Sequence, residues 1–156
     1  MIQLNLGCGA DKRDGYINID KRVEVEPDQL LDIELNGLSH WEDNSVDRII
    51  AKDFLEHIRR RKVIFVMEEI WRVLKDGAEF EHFTPSSCGR GAFQDPTHRS
   101  YWNYNSWLYY TDDAYRELIG TKAKFEVVGM NDVLTSDVAQ IIHTHGVLTK
   151  VGDSHE

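Results

Sequence analysis

The sequence predicts an α/β fold built on an open, mostly parallel sheet with an antiparallel strand at one edge. Short apolar runs that suit strands alternate with stretches of helical character along the 156 residues, and this alternation is typical of an open α/β sheet. One stretch has apolar residues at clear helical spacing. Two strand-like runs near the end of the chain are joined by a short link, which indicates an antiparallel hairpin at the sheet edge.

The first part of the chain predicts strands at Ile2–Leu6, Tyr16–Ile19, Gln29–Ile33 and Val46–Ala51. The last of them, with the sequence VDRIIA, is apolar and β-branched, which suits a buried central strand. Only the seven residues from Ala10 to Tyr16 separate the first glycines from the second strand. A parallel crossover usually takes a dozen residues or more, so this connection has no room for a proper helix.

Helical signals follow the fourth strand. Asp53 and Glu56 have the spacing of a capping box, which predicts a short helix through His57. An apolar face then recurs at helical spacing, and its members are Val63, Val66, Met67, Ile70, Trp71 and Leu74. Gly77 is predicted to end this helix in the C′ position.

The later elements complete the predicted sheet. A strand is expected at Ala78–Phe83, a helix at Asp112–Leu118, and the last strands within Phe125–Met130 and Val138–Val151. Gly146 is expected to mark a bulge or turn. The length fits one domain, residues 1–150, followed by a polar tail at 151–156.

Composition and charge exclude several classes of protein. The net charge of −9 makes the chain a poor general binder of nucleic acid, because phosphate contacts need clustered Lys and Arg. The apolar runs are too short for a membrane span. No signal peptide is recognised, and the two cysteines form no disulfide framework. We therefore expect a cytoplasmic protein, with a homodimer as a possible assembly.

The stretch LNLGCGADKRDGYINID predicts a ligand site. Gly7 and Gly9 follow the first strand and Asp20 ends the second, where a carboxylate can accept hydrogen bonds from two ribose hydroxyls. The third glycine of the dinucleotide fingerprint is absent, and so is the helix whose N-terminus would hold a pyrophosphate. A ligand with ribose but without pyrophosphate explains both absences, and S-adenosylmethionine is such a ligand.

Four motifs in order resemble class I S-adenosylmethionine-dependent methyltransferases, which have a Rossmann-like fold. They are LNLGCG, GYINID, VDRIIAKDFLEHI and EEIWRVLKDGAEF. A further stretch, GAFQDPTHRSYWN, resembles a small bacterial and phage subgroup with a DPTH motif. The chain departs from the family pattern in its truncated first crossover and in Asp76-Gly77-Ala78, where the family often has Pro-Gly-Gly.

The resemblance implies a cofactor site made of Leu6, Gly7, Cys8, Gly9, Asp20, Lys21, Asp32, Ile33, Ala51 and Lys52. In this assignment the residues Gly7 to Gly9 line the methionine end and Asp20 binds the ribose. Asp32 and Ile33 flank the adenine. Ala51 and Lys52 approach the methionine amine and the methyl group.

The loop from Thr84 to Thr111 is the expected substrate wall, because it leaves a carboxyl end of the sheet. His98 is the best candidate for a general base, since histidine titrates near neutrality. Asp95 orients His98, binds a substrate hydroxyl or amine, or makes the turn that Asp-Pro favours. No metal site is expected, because the spacing of His82, Cys88, Asp95 and His98 matches no zinc pattern.

The sequence thus favours an S-adenosylmethionine-dependent methyltransferase that acts on a small-molecule or sugar-like acceptor. A module of the same fold that binds S-adenosylmethionine or S-adenosylhomocysteine without transfer is the first alternative. A nicotinamide-dependent oxidoreductase would need a pyrophosphate site, which the short crossover disfavours. A nucleic-acid methyltransferase is disfavoured by the charge and by the lack of an Asn/Asp-Pro-Pro-Tyr-type motif.

Overall fold

A seven-stranded sheet organises residues 1–152, the part of the chain that the computed structural model describes. The strands are β1 (Gln3–Leu6), β2 (Ile17–Asp20), β3 (Gln29–Leu30), β4 (Val46–Lys52), β5 (Leu74–Pro85), β6 (Phe125–Ser136) and β7 (Ile141–Lys150). Their order is β3-β2-β1-β4-β5-β7-β6. Only β7 runs antiparallel to its neighbours, β5 and β6. The predicted mostly parallel sheet with an antiparallel edge is confirmed.

Five short helices connect the strands among the described residues. They are α1 (Ile33–Asn36), α2 (Val63–Val73), α3 (Gly91–Gln94), α4 (Leu108–Thr111) and α5 (Asp113–Ile119). The predicted amphipathic helix is α2, and Val66, Met67 and Ile70 on its apolar face are fully buried. Helix α5 begins where predicted, because the Asp112 carboxylate accepts hydrogen bonds from the first backbone N–H groups of the helix.

Two predicted helix ends are wrong. Helix α2 ends at Val73, and Leu74 is already extended and begins β5. Gly77 therefore lies within β5, with φ of +75°, beside the register shift in the pairing with β4. The predicted capping box is also absent, because a 3-10 turn at Leu55–His57 follows Phe54 and no side chain caps it.

Two predictions for strands need correction. The third strand is shorter than expected, because Ile33 belongs to α1 and Asp32 caps that helix. Gly146 makes no bulge or turn, since it pairs regularly with His82 on β5 and Met130 on β6. A Cβ atom at Gly146 would overlap the His82 ring. Glycine is required there because β7 and this ring approach closely.

Two buried amides allow the first crossover to pack without a helix. The Asn5 amide donates hydrogen bonds to the Asn18 side chain at 2.9 Å and to the Asp11 carbonyl at 2.8 Å. The Asn18 side chain accepts from the Arg13 backbone at 2.8 Å and donates to the Asp28 carboxylate at 2.7 Å. The loop between β1 and β2 is thus held by side chains on the strands that it connects.

The aromatic segment after α3 contributes mainly to the core. Trp102, Trp107 and Tyr110 are buried, while Tyr101 and Tyr104 are exposed. Trp107 stacks on the His82 ring with 3.6 Å between the ring centroids.

Within residues 1–152 no helix has the length and apolarity needed to cross a bilayer. Most of the predicted polar tail, residues 153–156, lies outside the described residues.

Candidate functional site

A cavity of about 360 Å³ opens at the carboxyl ends of β1, β2 and β4, where the strand order reverses direction. Ligands of open α/β sheets bind at such a switch point. One side, the glycine wall, consists of Gly7, Asp20, Lys21, Arg22, Leu31, Asp32, Ile33 and Glu34. The other side, the histidine wall, consists of Asp53, Phe54, His57, Ile58, Thr97 and Arg99.

The turn after β1 requires glycine at both of its glycine positions. Gly7 has φ of +63°, and a Cβ atom there would overlap the Phe54 ring. Gly9 has φ of +49°, and its N–H donates to the Asp20 carboxylate at 2.9 Å. The turn therefore joins the end of β1 to the acid that ends β2, as the motif pattern requires.

Asp20 is buried and carries a charge that its neighbours stabilise. Its carboxylate accepts hydrogen bonds from the backbone of Arg22 at 2.9 Å and from the Arg22 guanidinium at 3.2 Å. Burial alone would raise the pKa of Asp20, but the hydrogen bonds from Arg22 and Gly9 outweigh it and hold this pKa below its usual range. A ribose that approached Asp20 would compete with the largely exposed Arg22 side chain.

Half of the residues predicted to hold a cofactor line the cavity directly: Gly7, Asp20, Lys21, Asp32 and Ile33. Leu6, Cys8 and Ala51 are buried behind the wall. The Gly9 backbone supports Asp20, while Lys52 is exposed and lies 4.0 Å from the Asp11 carboxylate. The Asp32 carboxylate accepts a hydrogen bond from the Glu34 N–H at 3.0 Å as the cap of α1.

Backbone hydrogen bonds join two distant segments into the histidine wall. The carbonyl of Glu56 accepts hydrogen bonds from the N–H groups of Arg99 at 2.7 Å and Ser100 at 3.1 Å. The Ser100 hydroxyl donates to the Leu55 carbonyl at 2.9 Å. These bonds hold the DPTH segment against the 3-10 turn that follows β4. His98 is thereby placed beside His57, although the two are far apart in sequence.

Glu56 is the most unusual residue of this region, and sequence reasoning missed it. Its side chain is 2% exposed, and neither carboxylate oxygen has a hydrogen-bond partner from another described residue. Burial raises the pKa of Glu56 to about 8, and the negative charges of Asp53 and Asp95 act in the same direction. Sequence analysis missed this buried, unpartnered carboxylate because the capping-box spacing predicts that Glu56 caps the end of a helix.

The predicted pair His98 and Asp95 lies next to the cavity, behind its wall. The His98 Nδ1 lies 2.8 Å from the Ala92 carbonyl, and its Nε2 lies 3.7 Å from the Asp95 carboxylate. Asp95 also makes the predicted turn, since it accepts hydrogen bonds from the Thr97 N–H at 2.8 Å and the Thr97 hydroxyl at 2.7 Å. The turn role of Asp95 is therefore present, while its role in orienting His98 stays a prediction.

His57 brings an imidazole to the cavity surface. Its ring meets the His98 ring edge to face, with 5.0 Å between centroids. Burial lowers the pKa of His57 below its usual range, and repulsion from His98 adds to this effect. The histidine that lines the cavity is thus His57, and its ring contacts the His98 ring, which does not line it.

The four residues first weighed as a metal set are not brought together. His82 is buried against Trp107, and Cys88 is exposed. Among the described residues, one other group has three side chains whose ligand atoms all lie within 4.8 Å of one another: Glu56, His57 and His98. Only His98 belongs to both sets.

Comparison with known proteins shows similarity to methyltransferases in part of the sequence and in the fold. A family described as a methyltransferase domain matches residues 9–81, from the glycine turn into β5. The chain has the fold of class I S-adenosylmethionine-dependent methyltransferases. No curated protein matches it significantly in sequence. The matched segment includes Asp20, Asp32 and the central strand β4.

Solved structures share this methyltransferase fold over nearly the whole chain. A methyltransferase from Methanosarcina mazei has a TM-score of 0.65 and 15% identity, covering 96% of this chain and 92% of its own. A Burkholderia thailandensis 1,6-didemethyltoxoflavin-N1-methyltransferase with bound S-adenosylhomocysteine has a TM-score of 0.62 and 13% identity, covering 97% and 71%.

One structural neighbour shows that the methyltransferase fold does not fix the reaction. The [4+2]-cyclase SpnF has a TM-score of 0.64 and 18% identity, and the match covers 96% of this chain and 74% of the cyclase. Because one fold hosts several chemistries, a function must be argued from the residues of the site.

Proposed function

We propose that the protein is a methyltransferase that transfers the methyl group of S-adenosylmethionine to a small-molecule or sugar-like acceptor. The observation that carries this proposal is the glycine wall, where Gly7 and the buried carboxylate of Asp20 meet at the ends of β1 and β2. This arrangement suits a nucleoside without a pyrophosphate, because residues 7–16 between β1 and β2, all of them described, contain no helix whose N-terminus could hold one.

In the proposed complex each part of the cofactor has a matching surface. The ribose hydroxyls donate to Asp20 after Arg22 has moved aside, and the adenine lies against Asp32 and Ile33. The methionine end lies along the turn at Gly7, where the missing side chain lets the backbone approach closely. The proposed contact with Asp20 is charge-assisted, which makes it one of the stronger hydrogen bonds available to the cofactor.

Methyl transfer from a sulfonium is an in-line displacement, so the protein mainly supplies proximity and alignment. A base is needed only where the acceptor has a proton to lose. The sequence-predicted pair of His98 and Asp95 remains the proposed source of basicity. Because His98 lies behind His57, we assign the contact with the acceptor to His57.

The polar character of the histidine wall supports a hydroxyl-bearing acceptor. Asp53, Thr97 and Arg99 line this side of the cavity together with the His57 ring. These groups offer donors and acceptors to a small polar molecule, and the net charge of −9 opposes a nucleic-acid substrate. A homodimer stays part of the proposal.

Calorimetric titration with S-adenosylmethionine and S-adenosylhomocysteine tests the cofactor assignment. We expect micromolar binding of both, weakened at least about tenfold by Asp20→Ala because a hydrogen bond to a charged group is lost. Asp14→Ala is the matched control, since Asp14 is an exposed acid of the short crossover. Binding of NAD in preference to both adenosyl ligands, or equal binding by the Asp20 variant, would overturn the assignment.

A turnover assay distinguishes an active methyltransferase from a module that binds the cofactor without transferring its methyl group. Release of S-adenosylhomocysteine is measured over a panel of small hydroxyl, amine and sugar acceptors. Turnover that is lost in His98→Asn and Asp95→Asn variants, while S-adenosylmethionine still binds, supports the enzyme. Tight binding with no turnover on any acceptor supports the module.

A further inference from the structure

We infer that Glu56, His57 and His98 form a binding site for one divalent transition-metal ion beside the cavity. The first observation is Glu56 itself, which is 2% exposed with both carboxylate oxygens lacking a hydrogen-bond partner from another described residue. A buried carboxylate is costly unless it is protonated, paired, hydrogen-bonded or coordinated to a metal. None of the described cations forms an ion pair with Glu56 apart from His57, whose Nε2 lies 3.9 Å away.

Each of the two imidazoles has one ring nitrogen near a polar partner, which leaves the other nitrogen as a candidate ligand. The His98 Nδ1 lies 2.8 Å from the Ala92 carbonyl, so the tautomer with a proton on Nδ1 leaves the lone pair on Nε2. The His57 Nδ1 lies 3.4 Å from the Thr97 hydroxyl, and its Nε2 faces Glu56. Metal-binding histidines usually have the second ring nitrogen held by a carbonyl or another polar group, and both rings meet this condition.

The spacing of the group is close to that of a coordinated ion. The three ligand atoms all lie within 4.8 Å of one another, whereas ligands on a tetrahedral zinc lie roughly 3.3 Å apart, as the usual bond lengths require. Metal binding at this site therefore requires side-chain rotations that bring the three ligand atoms closer together. The backbone bonds from Arg99 and Ser100 to the Glu56 carbonyl keep the two segments together while the side chains move.

The donor set indicates which ions fit. Two imidazoles and one carboxylate suit zinc, iron and cobalt, whereas magnesium and calcium prefer oxygen ligands alone. Asp95 lies 3.7 Å from the His98 Nε2 and, with Asp53 on the cavity wall, adds negative charge that attracts a cation. Three protein ligands leave a coordination position for water or for an acceptor oxygen, because His57 reaches the cavity.

This site goes beyond the proposed methyl transfer, and its metal binding does not depend on the cofactor. A metal ion lowers the pKa of a bound hydroxyl, which gives the histidine wall a second way to activate an acceptor. His98 cannot act as a general base through Nε2 while Nε2 binds a metal ion, because one nitrogen lone pair cannot hold a proton and a metal ion together. Base catalysis by His98 and activation of the acceptor by the metal are therefore mutually exclusive.

The test uses untagged full-length protein, stripped with a chelator and titrated with Zn²⁺, Co²⁺ and Mg²⁺ in the absence of S-adenosylmethionine. We expect one equivalent of Zn²⁺ or Co²⁺ per chain, a visible Co²⁺ spectrum typical of nitrogen and oxygen ligands, and no Mg²⁺ binding. Glu56→Gln and His98→Gln should each weaken Zn²⁺ binding at least about a hundredfold, because each removes a direct ligand. His40→Gln, at an exposed histidine outside the cavity, should leave it unchanged.

Failure of Zn²⁺ and Co²⁺ to bind the wild-type protein would overturn the metal site, whatever the variants do. Equal binding by folded Glu56→Gln and His98→Gln variants would overturn it too, and thermal melting shows whether these variants fold. Should one variant unfold, His57→Gln and the wild-type Co²⁺ spectrum still decide the question. Because S-adenosylmethionine binding is measured separately, failure of the metal site and failure of the proposed cofactor are distinguishable.

Discussion

The two walls of the cavity differ in whether the buried polar side chains at each wall have hydrogen-bond partners. On the glycine wall and directly behind it, Asn5, Asn18 and Asp20 are buried, and all three have hydrogen-bond partners. Near the histidine wall, Glu56 is equally buried and lacks a partner from another described residue. A satisfied network is rigid before a ligand arrives, whereas an unsatisfied buried group retains affinity for one. The buried polar side chains of the first wall are thus held in place by their partners, whereas the Glu56 carboxylate near the second wall has unused hydrogen-bonding capacity.

The largest expected effect comes from breaking the satisfied network with Asn18→Ala. This change removes one of the two partners of the Asn5 amide and the side-chain partner of the Arg13 N–H, and unpaired buried groups cost about 1–3 kcal/mol each. We expect the free energy of unfolding in urea to fall by about 3 kcal/mol. Asn36→Ala, at an exposed position of α1, is the control. A loss below 1 kcal/mol would contradict the importance of the amides.

His82 is a second buried polar group with an unpartnered atom, Nε2. It lies in the core, whereas Glu56 lies near the cavity. Burial lowers the pKa of His82 to about 3, and the neighbouring His145 on β7 adds repulsion. Below an unfolded pKa of about 6.5, only the unfolded chain takes up this proton. Stability from His82 is therefore present above pH 6.5 and lost as the pH falls.

The measurement compares unfolding of the wild type and His82→Phe across this acid range. The contribution of His82 should fall by about 1.4 kcal/mol per pH unit between pH 6 and pH 4. A phenylalanine keeps the stack on Trp107 and cannot titrate, so the variant should lose less stability on acidification. Identical pH slopes for the two proteins would show that His82 protonates in the folded state.

A smaller effect is expected from Gly7→Ala on the glycine wall. The new Cβ atom would overlap Phe54, and overpacking typically costs 1–3 kcal/mol. Gly15→Ala is a matched control, since Gly15 also has positive φ, at +81°, but nothing within 4 Å of its Cβ position. We expect Gly7→Ala to be less stable than Gly15→Ala by about 1 kcal/mol in urea unfolding. Equal costs would mean that Phe54 moves freely.

The smallest expected effect comes from Arg22→Ala, which frees the Asp20 carboxylate from its ion pair. Because the Arg22 side of this ion pair is largely exposed, the pair is worth about 0–1 kcal/mol, and S-adenosylmethionine should bind up to about fivefold more tightly. Arg61→Ala, at an exposed arginine before α2, serves as the control in the calorimetric titration. Weaker binding by Arg22→Ala would mean that the guanidinium itself contacts the ligand.

The sequence predicts the glycine wall well because its residues are close in the chain. Gly7, Gly9 and Asp20 lie within one strand-turn-strand unit, and the spacing alone places them at adjacent strand ends. The amphipathic helix α2 is also predicted, since its pattern of apolar residues is local. Its end is predicted wrongly, because Leu74 continues directly into β5 and no local signal distinguishes that strand from the helix end at Gly77.

The histidine wall is poorly predicted because long-range packing creates it. The spacing of Asp53 and Glu56 is that of a capping box, and only the hydrogen bonds from Arg99 and Ser100 to the Glu56 carbonyl reveal a different role. His98 is recognised as a candidate on chemical grounds, but its position behind His57 depends on the same contacts. A signal in the sequence was available in the adjacent Glu56-His57 pair, which lies just after a central strand.

The short connection between β1 and β2 also has a consequence for the order in which the chain folds. Parallel strands usually pair late, because a long crossover must close before their contacts form. Here only ten residues, 7–16, lie between the paired strands, and each halving of a loop lowers its closure cost by about 0.6 kcal/mol. The β1–β2 pair therefore has the low contact order of a hairpin, and it can form early as a template on which β4 assembles.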